Sequence, residues 1–462
     1  MSSISRHTDK KGEKLEEKNV KKNRPDDAPD WMISWTQIDE VKFGTAFLKE
    51  HELKCVNGML YGIDGYISED AVKADIMKML IPYYTTKLSQ RVKNLLDTLK
   101  MLCHSEEENV RTDEIHLLNG VMKTDGTWTE GKQFCVNRLN IEYHPEIRKG
   151  AYYPEKFLNF LCELLEPKDI DTLQEYLGYC LIPSTKAQVM LYLIGSGGEG
   201  KSRIGVVLKE IFNEAMIEAK LHRVGTDRFF TANLVDKLIC LDDDMEMAAL
   251  TNTSELKKLI TAEIAVDVER KGQQSFQKKL YSRFIAFSNG SPKALYDKSD
   301  GFTRRLLILT TKPKPENRKD DPFLAEKFIA EKEKIFCWMF DGLRRLLERN
   351  YRFTISERTK QNIIMALSEN CNIYDFLHDE TMIAFGADYK TTNTDLYALY
   401  QIWCSDNGLT ALKRESFISF LKSNEKKFSI AYDYNIINEK GRRVRGFTGM
   451  KTLLRTSVTN GV

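Results

Sequence analysis

The chain has 462 residues, of which 42% are hydrophobic and 29% charged, with a formal net charge of +2. That balance describes an ordinary soluble protein with room for two or three cored domains, and it excludes a collagen-like or polyelectrolyte chain. There is no run of about 18 apolar residues to cross a membrane, and the polar N-terminus is no secretory signal. The nine cysteines are scattered without CxxC spacing, which argues for reduced thiols in a cytoplasmic setting, not disulfides or a zinc knuckle.

Residues 1–30 are rich in Lys and Glu and nearly free of large apolar side chains, so they read as a disordered tail. Residues 31–170 read as a mixed, partly helical accessory or assembly domain. Met59–Ile63 with Asp64-Gly65 has the pattern of a strand and turn, and helical periodicity follows over 69–81, 86–103, 154–166 and 169–182. No catalytic constellation occurs there: His116 and His144 have no partner at useful spacing.

Residues 171–315 alternate apolar strands with helices, as an α/β nucleotide-binding domain does. The apolar run Val189–Ile194 leads into Gly195-Ser196-Gly197-Gly198-Glu199-Gly200-Lys201-Ser202, a complete P-loop. An amphipathic helix leaves it, with Ile204, Val207, Leu208, Ile211 and Phe212 on one face. Strand, glycine loop and helix N-terminus form an anion site in which backbone N–H groups face phosphates. Lys201 adds a positive charge for the β- and γ-phosphates, and the Ser202 hydroxyl is suited to Mg²⁺. ATP with Mg²⁺ is therefore the expected ligand pair.

A second apolar strand, Leu238–Leu241, ends in Asp242-Asp243-Asp244. Acids at a strand end beside a P-loop can hold the metal shell and orient the attacking water. By position Asp242 takes the metal and Asp243 the water, with Asp244 as a third candidate. The segment 265–276 reads as a hairpin around Lys271, either a plain exposed hairpin or one whose lysine meets a DNA phosphate. The strand Phe284–Phe287 ends in Ser288-Asn289-Gly290; Asn289 is either a turn residue or a sensor of the γ-phosphate. Arg304-Arg305 precede the strand Leu306–Leu309, and either could be an arginine finger for a neighbouring subunit.

Residues 316–370 read as a helical linker, with one helix over about 322–350 and another over 356–369. Residues 371–462 read as a helix–helix–hairpin module: helices over 394–407 and 414–424, then strands near 428–437 and 444–449 around a basic turn. From Ala411 to Arg455 there are eleven Lys/Arg against four Asp/Glu, which points to a polyanion partner. The order suggests a winged helix. Lys413, Arg414, Lys422, Arg442, Arg443 and Arg445 are candidate DNA contacts, each otherwise an ordinary surface charge.

The order of these pieces resembles superfamily 3 helicases, specifically the phage- and poxvirus-type helicases whose genes often also carry a primase. The resemblance rests on Ile115–Val121, Leu173–Tyr179, the P-loop, Leu256–Ile260 with Asp267, Arg270 and Phe276, Phe287-Ser288-Asn289 with Pro292, and Gly301-Phe302 with Arg304-Arg305. Size and layout are similar to those of replication initiators of staphylococcal pathogenicity islands and related phage satellites. The resemblance implies an AAA+-like ATPase core in a ring, usually a hexamer, with ATP between subunits. It implies Lys271 tracking single-stranded DNA in the channel, 3′→5′ movement, duplex origin DNA on the winged helix, and host replication proteins as further partners. The segment before residue 115 is too short for the primase domain of many relatives and lacks its acidic pair, so no priming is expected. The competing reading is an ATP-switched DNA-binding regulator or transposition-type ATPase that does not unwind.

Overall fold

The computed structural model describes residues 27–453 except 107–109, 150–152, 246–252, 273, 290–299, 315–320, 371, 410 and 439. Most of the expected N-terminal tail, Gln273 of the hairpin turn and Gly290–Pro292 lie outside the described residues.

The chain opens with α1 (Glu40–Glu50), a hairpin sheet of β1 (Lys54–Val56), β2 (Met59–Gly62) and β3 (Gly65–Ile67), then α2 (Glu69–Leu80) and α3 (Leu88–Leu102). Ser68 caps α2 by accepting the Ala71 N–H, the usual answer to orphan donors at a helix start. These elements share a core of Trp31, Phe43, Phe47, Ile76, Leu95 and Leu99. A second hairpin sheet follows, β4 (Glu114–Leu117), β5 (Gly120–Lys123) and β6 (Trp128–Glu130), and then α4 (Glu155–Leu164) and α5 (Pro167–Tyr179).

The centre of the molecule is a parallel sheet. Its strands are β7 (Met190–Ile194), β8 (Met216–Glu218), β9 (Ile239–Asp242), β12 (Arg283–Ser288) and β13 (Leu306–Thr310), in spatial order β13-β7-β12-β9-β8. Every residue of β7, β9 and β12 is buried; continuous apolar runs of this kind suit a sheet covered on both faces. The short pair β10 (Val266–Val268) and β11 (Phe276–Lys278) stands apart as an antiparallel hairpin. One face of the sheet carries α6 (Lys201–Phe212); the other packs on α8 (Ser254–Thr261), which follows the one-turn α7 (Phe230–Asn233). The one-turn α9 (Asp300–Thr303) precedes β13.

The domain division expected at residue 170 falls inside a continuous core. Ile115, Leu117, Phe157, Leu161, Tyr176 and Leu177 pack in the same cluster as Leu191, Ile204, Ile285 and Leu309. The helices expected to be a linker belong to it too. α10 (Leu324–Ile329) and α11 (Lys332–Glu348) replace the single helix expected over 322–350. The break lets the Glu331 carboxylate accept the N–H groups of Lys156 and Phe157 at 3.1 and 3.3 Å, at the start of α4. α11 crosses α5 where Gly178 and Gly342 meet: a Cβ on Gly178 would lie 2.3 Å from the Met339 carbonyl, and one on Gly342 2.4 Å from that of Gln174. Glu175, wholly buried, fixes the crossing by accepting from Arg345 Nε at 2.6 Å and from the Thr354 N–H at 2.6 Å. α12 (Glu357–Asn370) then ties to β13, with Asn362 donating to the Ile308 carbonyl at 2.9 Å.

The C-terminal unit has its own core around Phe376, Tyr400, Phe417, Leu421 and Phe447. Its order is α13 (Asn372–His378), β14 (Ile383–Thr392), α14 (Asn393–Asp406), α15 (Arg414–Ser423), the one-turn α16 (Glu425–Phe428), β15 (Ala431–Ile437) and β16 (Arg443–Thr452), with sheet order β14-β16-β15. The strand β14 was not expected. Its alternation is interrupted by Gly386, and its pairing with β16 slips between Phe385 and Lys390, so the period-2 signal is lost. No helix among the described residues is long and apolar enough to cross a membrane, and none of the described cysteines forms a disulfide.

Candidate nucleotide site

The carboxyl ends of the parallel strands form one edge of the sheet, and the P-loop, the acids and Asn289 all lie there. The chain leaves β7 for β8 at the far edge and later crosses back from β12 to β13, so β7 adjoins the point where strand order reverses, the usual place for a ligand crevice. Gly197, Gly198 and Gly200 adopt φ of 103°, 80° and 102°, a region that costs side-chain-bearing residues energy. The loop is pinned to its neighbours by the Gly195 N–H on the Ser288 carbonyl at 3.1 Å and the Thr311 N–H on the Ile194 carbonyl at 2.8 Å.

Glu199 organises the loop from beneath. Its buried carboxylate accepts the Ser196 N–H, the Gly197 N–H at 3.0 Å and the Lys201 ammonium at 3.0 Å. Burial alone would raise the Glu199 carboxyl; the lysine and the loop N–H groups outweigh it and hold the group below the ordinary glutamate range. Lys201 also donates to Asn289 Oδ1 at 3.1 Å. The two residues picked out from separate motifs thus touch.

The cleft above the loop has a volume of about 470 Å³ and is lined by Gly197, Gly198, Gly200, Lys201, Ser202, Asp243, Asp244, Ser288 and Asn289. Arg203, Asp321 and Leu324 complete it. Those last three were missed by sequence reasoning. Arg203 had a legible signal, since it directly follows the loop; Asp321, engaged with Lys327 at 2.5 Å and the Phe323 N–H at 2.9 Å, had none, because it is brought in by the folding of α10 onto α6.

Asp242, expected to hold the metal, is not brought into this cleft. Successive side chains of a strand point to opposite faces. Leu241 faces α6, where a Cβ on Gly205 would meet it at 2.9 Å, and Asp243 Oδ1 lies 3.7 Å from the same point. Asp242 therefore turns the other way; it accepts the Leu221 N–H at 2.8 Å and pairs with Lys220 at 3.2 Å. Asp243 and Asp244 are the acids at the cleft. No group of three or more His, Cys, Asp or Glu side chains that could hold a metal by itself occurs among the described residues. The cleft fits instead an ion of the Mg²⁺ type, which takes one or two carboxylates together with phosphate oxygens and water.

Arg304 and Arg305 lie at the opposite edge of the sheet. β13 runs parallel to β7 with Leu306 beside Met190 and Thr310 beside Ile194, and the Met190 N–H donates to the Arg305 carbonyl at 2.8 Å. Five strand residues at about 3.3 Å each separate the pair from its own P-loop edge by roughly 16 Å. Arg304 is exposed, and Arg305 donates to the Gly301 carbonyl. Lys271 is exposed beside Gly272 in the β10–β11 turn, while Arg270 donates to the Asn57 carbonyl at 2.9 Å and so ties the hairpin to the β1–β2 turn.

The six C-terminal candidates are spread over the α15 end and the β15–β16 hairpin. Lys413 and Arg414 begin α15, and Arg414 donates to Thr394 Oγ1 at 3.0 Å. Arg442 and Arg443 are exposed at the turn. Lys422 lies over the Tyr432 ring, 3.5 Å from its centroid, and Arg445 lies 5.8 Å from that of Tyr434.

A family model described only as a family of unknown function, DUF5906, matches residues 193–305, from the end of the strand before the P-loop to the arginine pair. No curated protein matches the chain. Among solved structures, the chain is similar to the apo structure of the NrS-1 C-terminal region at 14% identity and a TM-score of 0.50, over 89% of this chain and 99% of that one. The A form apo structure of the same region aligns at 15% identity and a TM-score of 0.46, over 84% and 86%. At these identities the first likeness speaks to the fold alone, and the second carries no argument.

Proposed function

We propose that the protein is an ATP-dependent DNA helicase that works as a ring, as the replication initiator of a mobile genetic element. The observation that carries this reading is the meeting of Lys201, Asn289, Asp243 and Asp244 in one cleft at the P-loop. In it, the loop N–H groups and Lys201 hold the β- and γ-phosphates of ATP. Ser202 and Asp243 take the Mg²⁺ shell, Asp244 orients the attacking water, and Asn289 reads the γ-phosphate. The metal supplies charge neutralisation on the phosphates.

The arginine pair supports a ring over an isolated ATPase. Roughly 16 Å of strand lies between the pair and its own P-loop, so a finger from this chain serves a neighbour. Lys271, exposed at a hairpin tip, suits contact with single-stranded DNA in the channel. The basic C-terminal unit, with its helix pair and three-stranded sheet, suits a winged helix on duplex origin DNA. A hexamer, 3′→5′ polarity and host replication partners follow from the superfamily 3 resemblance. The test is strand displacement on a 3′-tailed duplex with Mg²⁺-ATP. Wild type displaces and Lys201→Ala does not; hydrolysis by wild type without displacement on any tailed or origin-bearing substrate favours the ATP-switched regulator.

A further inference from the structure

The C-terminal sheet carries an aromatic row that runs out of its core. Phe447 is fully buried, and Tyr432 sits across from it on β15 with the rings edge-to-face at 5.1 Å. Tyr434 continues the row, edge-to-face with Tyr432 at 5.0 Å, but it is 61% exposed. The pairing of β15 with β16 slips between Asp433 and Ile436, the stretch that carries Tyr434. Three residues further on, Ile437 is 69% exposed.

Two cations approach the exposed ring. Lys422, at the end of α15, is 5.8 Å from its centroid, and so is Arg445 of β16. Arg443 faces solvent at the pair with Ile437. Two acids of this stretch among the described residues are turned to backbone donors: Glu425 accepts the Tyr432 N–H and Asp433 the Asn435 N–H, both at 2.8 Å. Tyr432 is itself held by Asn393, which donates to its hydroxyl at 3.1 Å, so Tyr434 rests on a fixed support.

We propose that Tyr434, with Lys422 and Arg445 close to it, is a stacking platform for an unpaired DNA base, so that this face grips single-stranded DNA in addition to duplex. A largely exposed aromatic ring with two cations beside it matches what a single strand offers, a bare base face and flanking phosphates. A duplex does not offer that face, because its bases are stacked on one another and only their edges reach the grooves. A surface meant for duplex alone would gain little from a tyrosine ring and much from polar side chains. The inference deepens the DNA-binding role proposed for this unit and rests on it. It puts capture of a melted strand at the same module that meets the duplex.

The experiment uses the full chain carrying Lys271→Ala, without nucleotide, to weaken binding by the hairpin. Fluorescence anisotropy is measured on a labelled oligo-dT strand and on a labelled duplex of the same length, for Tyr434, Tyr434→Ala and Tyr434→Phe. Stacking of one base predicts a loss of about 5- to 150-fold on the single strand for Tyr434→Ala, little change on duplex, and near-complete retention by Tyr434→Phe. Equal losses on both DNAs, no loss on the single strand, or failure of Tyr434→Phe to retain binding overturns the platform and leaves the helicase reading standing. If the parent chain binds neither DNA, both readings fall together.

Discussion

Replacing Asp242 and Asp243 one at a time separates a metal-holding acid from a structural one. In Asp242→Ala the acceptor of the Leu221 N–H is lost, along with the ion pair to Lys220. A hydrogen bond to a buried charged group is worth about 1.5–3 kcal/mol. The Lys220 side chain is 46% exposed, so solvent screening holds the pair to about 1 kcal/mol at most. The loss of about 2–4 kcal/mol falls on stability, and in a unit of 150–250 residues each kcal/mol moves Tm by about 2–4 °C, so melting drops by roughly 5–15 °C. Below that transition, ATP turnover stays close to wild type. Asp243→Ala does the reverse: Tm is unchanged or higher, because a carboxylate facing other acids is removed, while turnover falls by about 10²–10⁴-fold, or roughly 3–5 kcal/mol of barrier. Phosphate release with Mg²⁺-ATP and thermal melting read the two effects separately. A folded Asp242→Ala that no longer hydrolyses ATP, beside an active Asp243→Ala, would refute the alternation argument along β9.

Four further outcomes are expected. His116 is held neutral, its pKa lowered from 6.5 to about 4 mainly by burial and then by the Arg138 charge. The unfolded chain therefore binds the extra proton first, so this contribution is complete above about pH 6.5 and is lost as pH falls toward 4; it amounts to about 2–4 kcal/mol, and His116→Gln flattens the melting profile across that window. Asp236 pairs with buried Lys278 at 2.7 Å, so Asp236→Ala costs about 3–5 kcal/mol by breaking a buried pair, measured by chemical denaturation. Arg304→Ala or Arg305→Ala, whichever is the finger, loses about 10³–10⁵-fold in turnover, and mixing it with inactive Lys201→Ala restores part of the activity; no restoration in any mixture excludes a shared site. Removing Arg442, Arg443 and Arg445 in turn lowers the slope of log affinity against log salt by about one for each phosphate that is no longer neutralised, and an unchanged slope shows that those side chains meet no phosphate.

The parts of the fold legible in sequence are those governed by local chemistry. The P-loop glycines, the buried strand runs and the helices at 69–80, 88–102, 393–406 and 414–423 follow from backbone conformational needs and from periodicity. Much of the cleft was legible for the same reason, because loops at strand ends on one sheet edge must converge. What was not legible depends on faces and distances. Three consecutive aspartates carry no mark of which one the pleat turns toward α6, and Asp321 reaches the cleft only through tertiary packing. The β14 strand hides behind a glycine and a slip in pairing. One hydrophobic cluster runs across residue 170, which was not legible because an amphipathic helix shows that it needs a partner but not which one, and α5 finds α11 by way of two glycines more than 160 positions apart.

The hairpin that carries Lys271 cannot move by itself. At its tip Arg270 is bonded to the Asn57 carbonyl. At its base Lys278 is buried against Asp236, whose carboxylate also accepts the Tyr61 hydroxyl and, at 3.4 Å, that of Tyr281. Asn57 and Tyr61 both belong to the β1–β2 hairpin of the N-terminal sheet. Asp236 lies in neither hairpin but just before β9, so displacing β10–β11 breaks the buried Lys278 pair at several kcal/mol, and displacing the β1–β2 hairpin with it breaks the Tyr61 bond as well. Lys271 thus sits at the tip of a hairpin tied at one end to the N-terminal sheet and at the other to the segment that leads into β9.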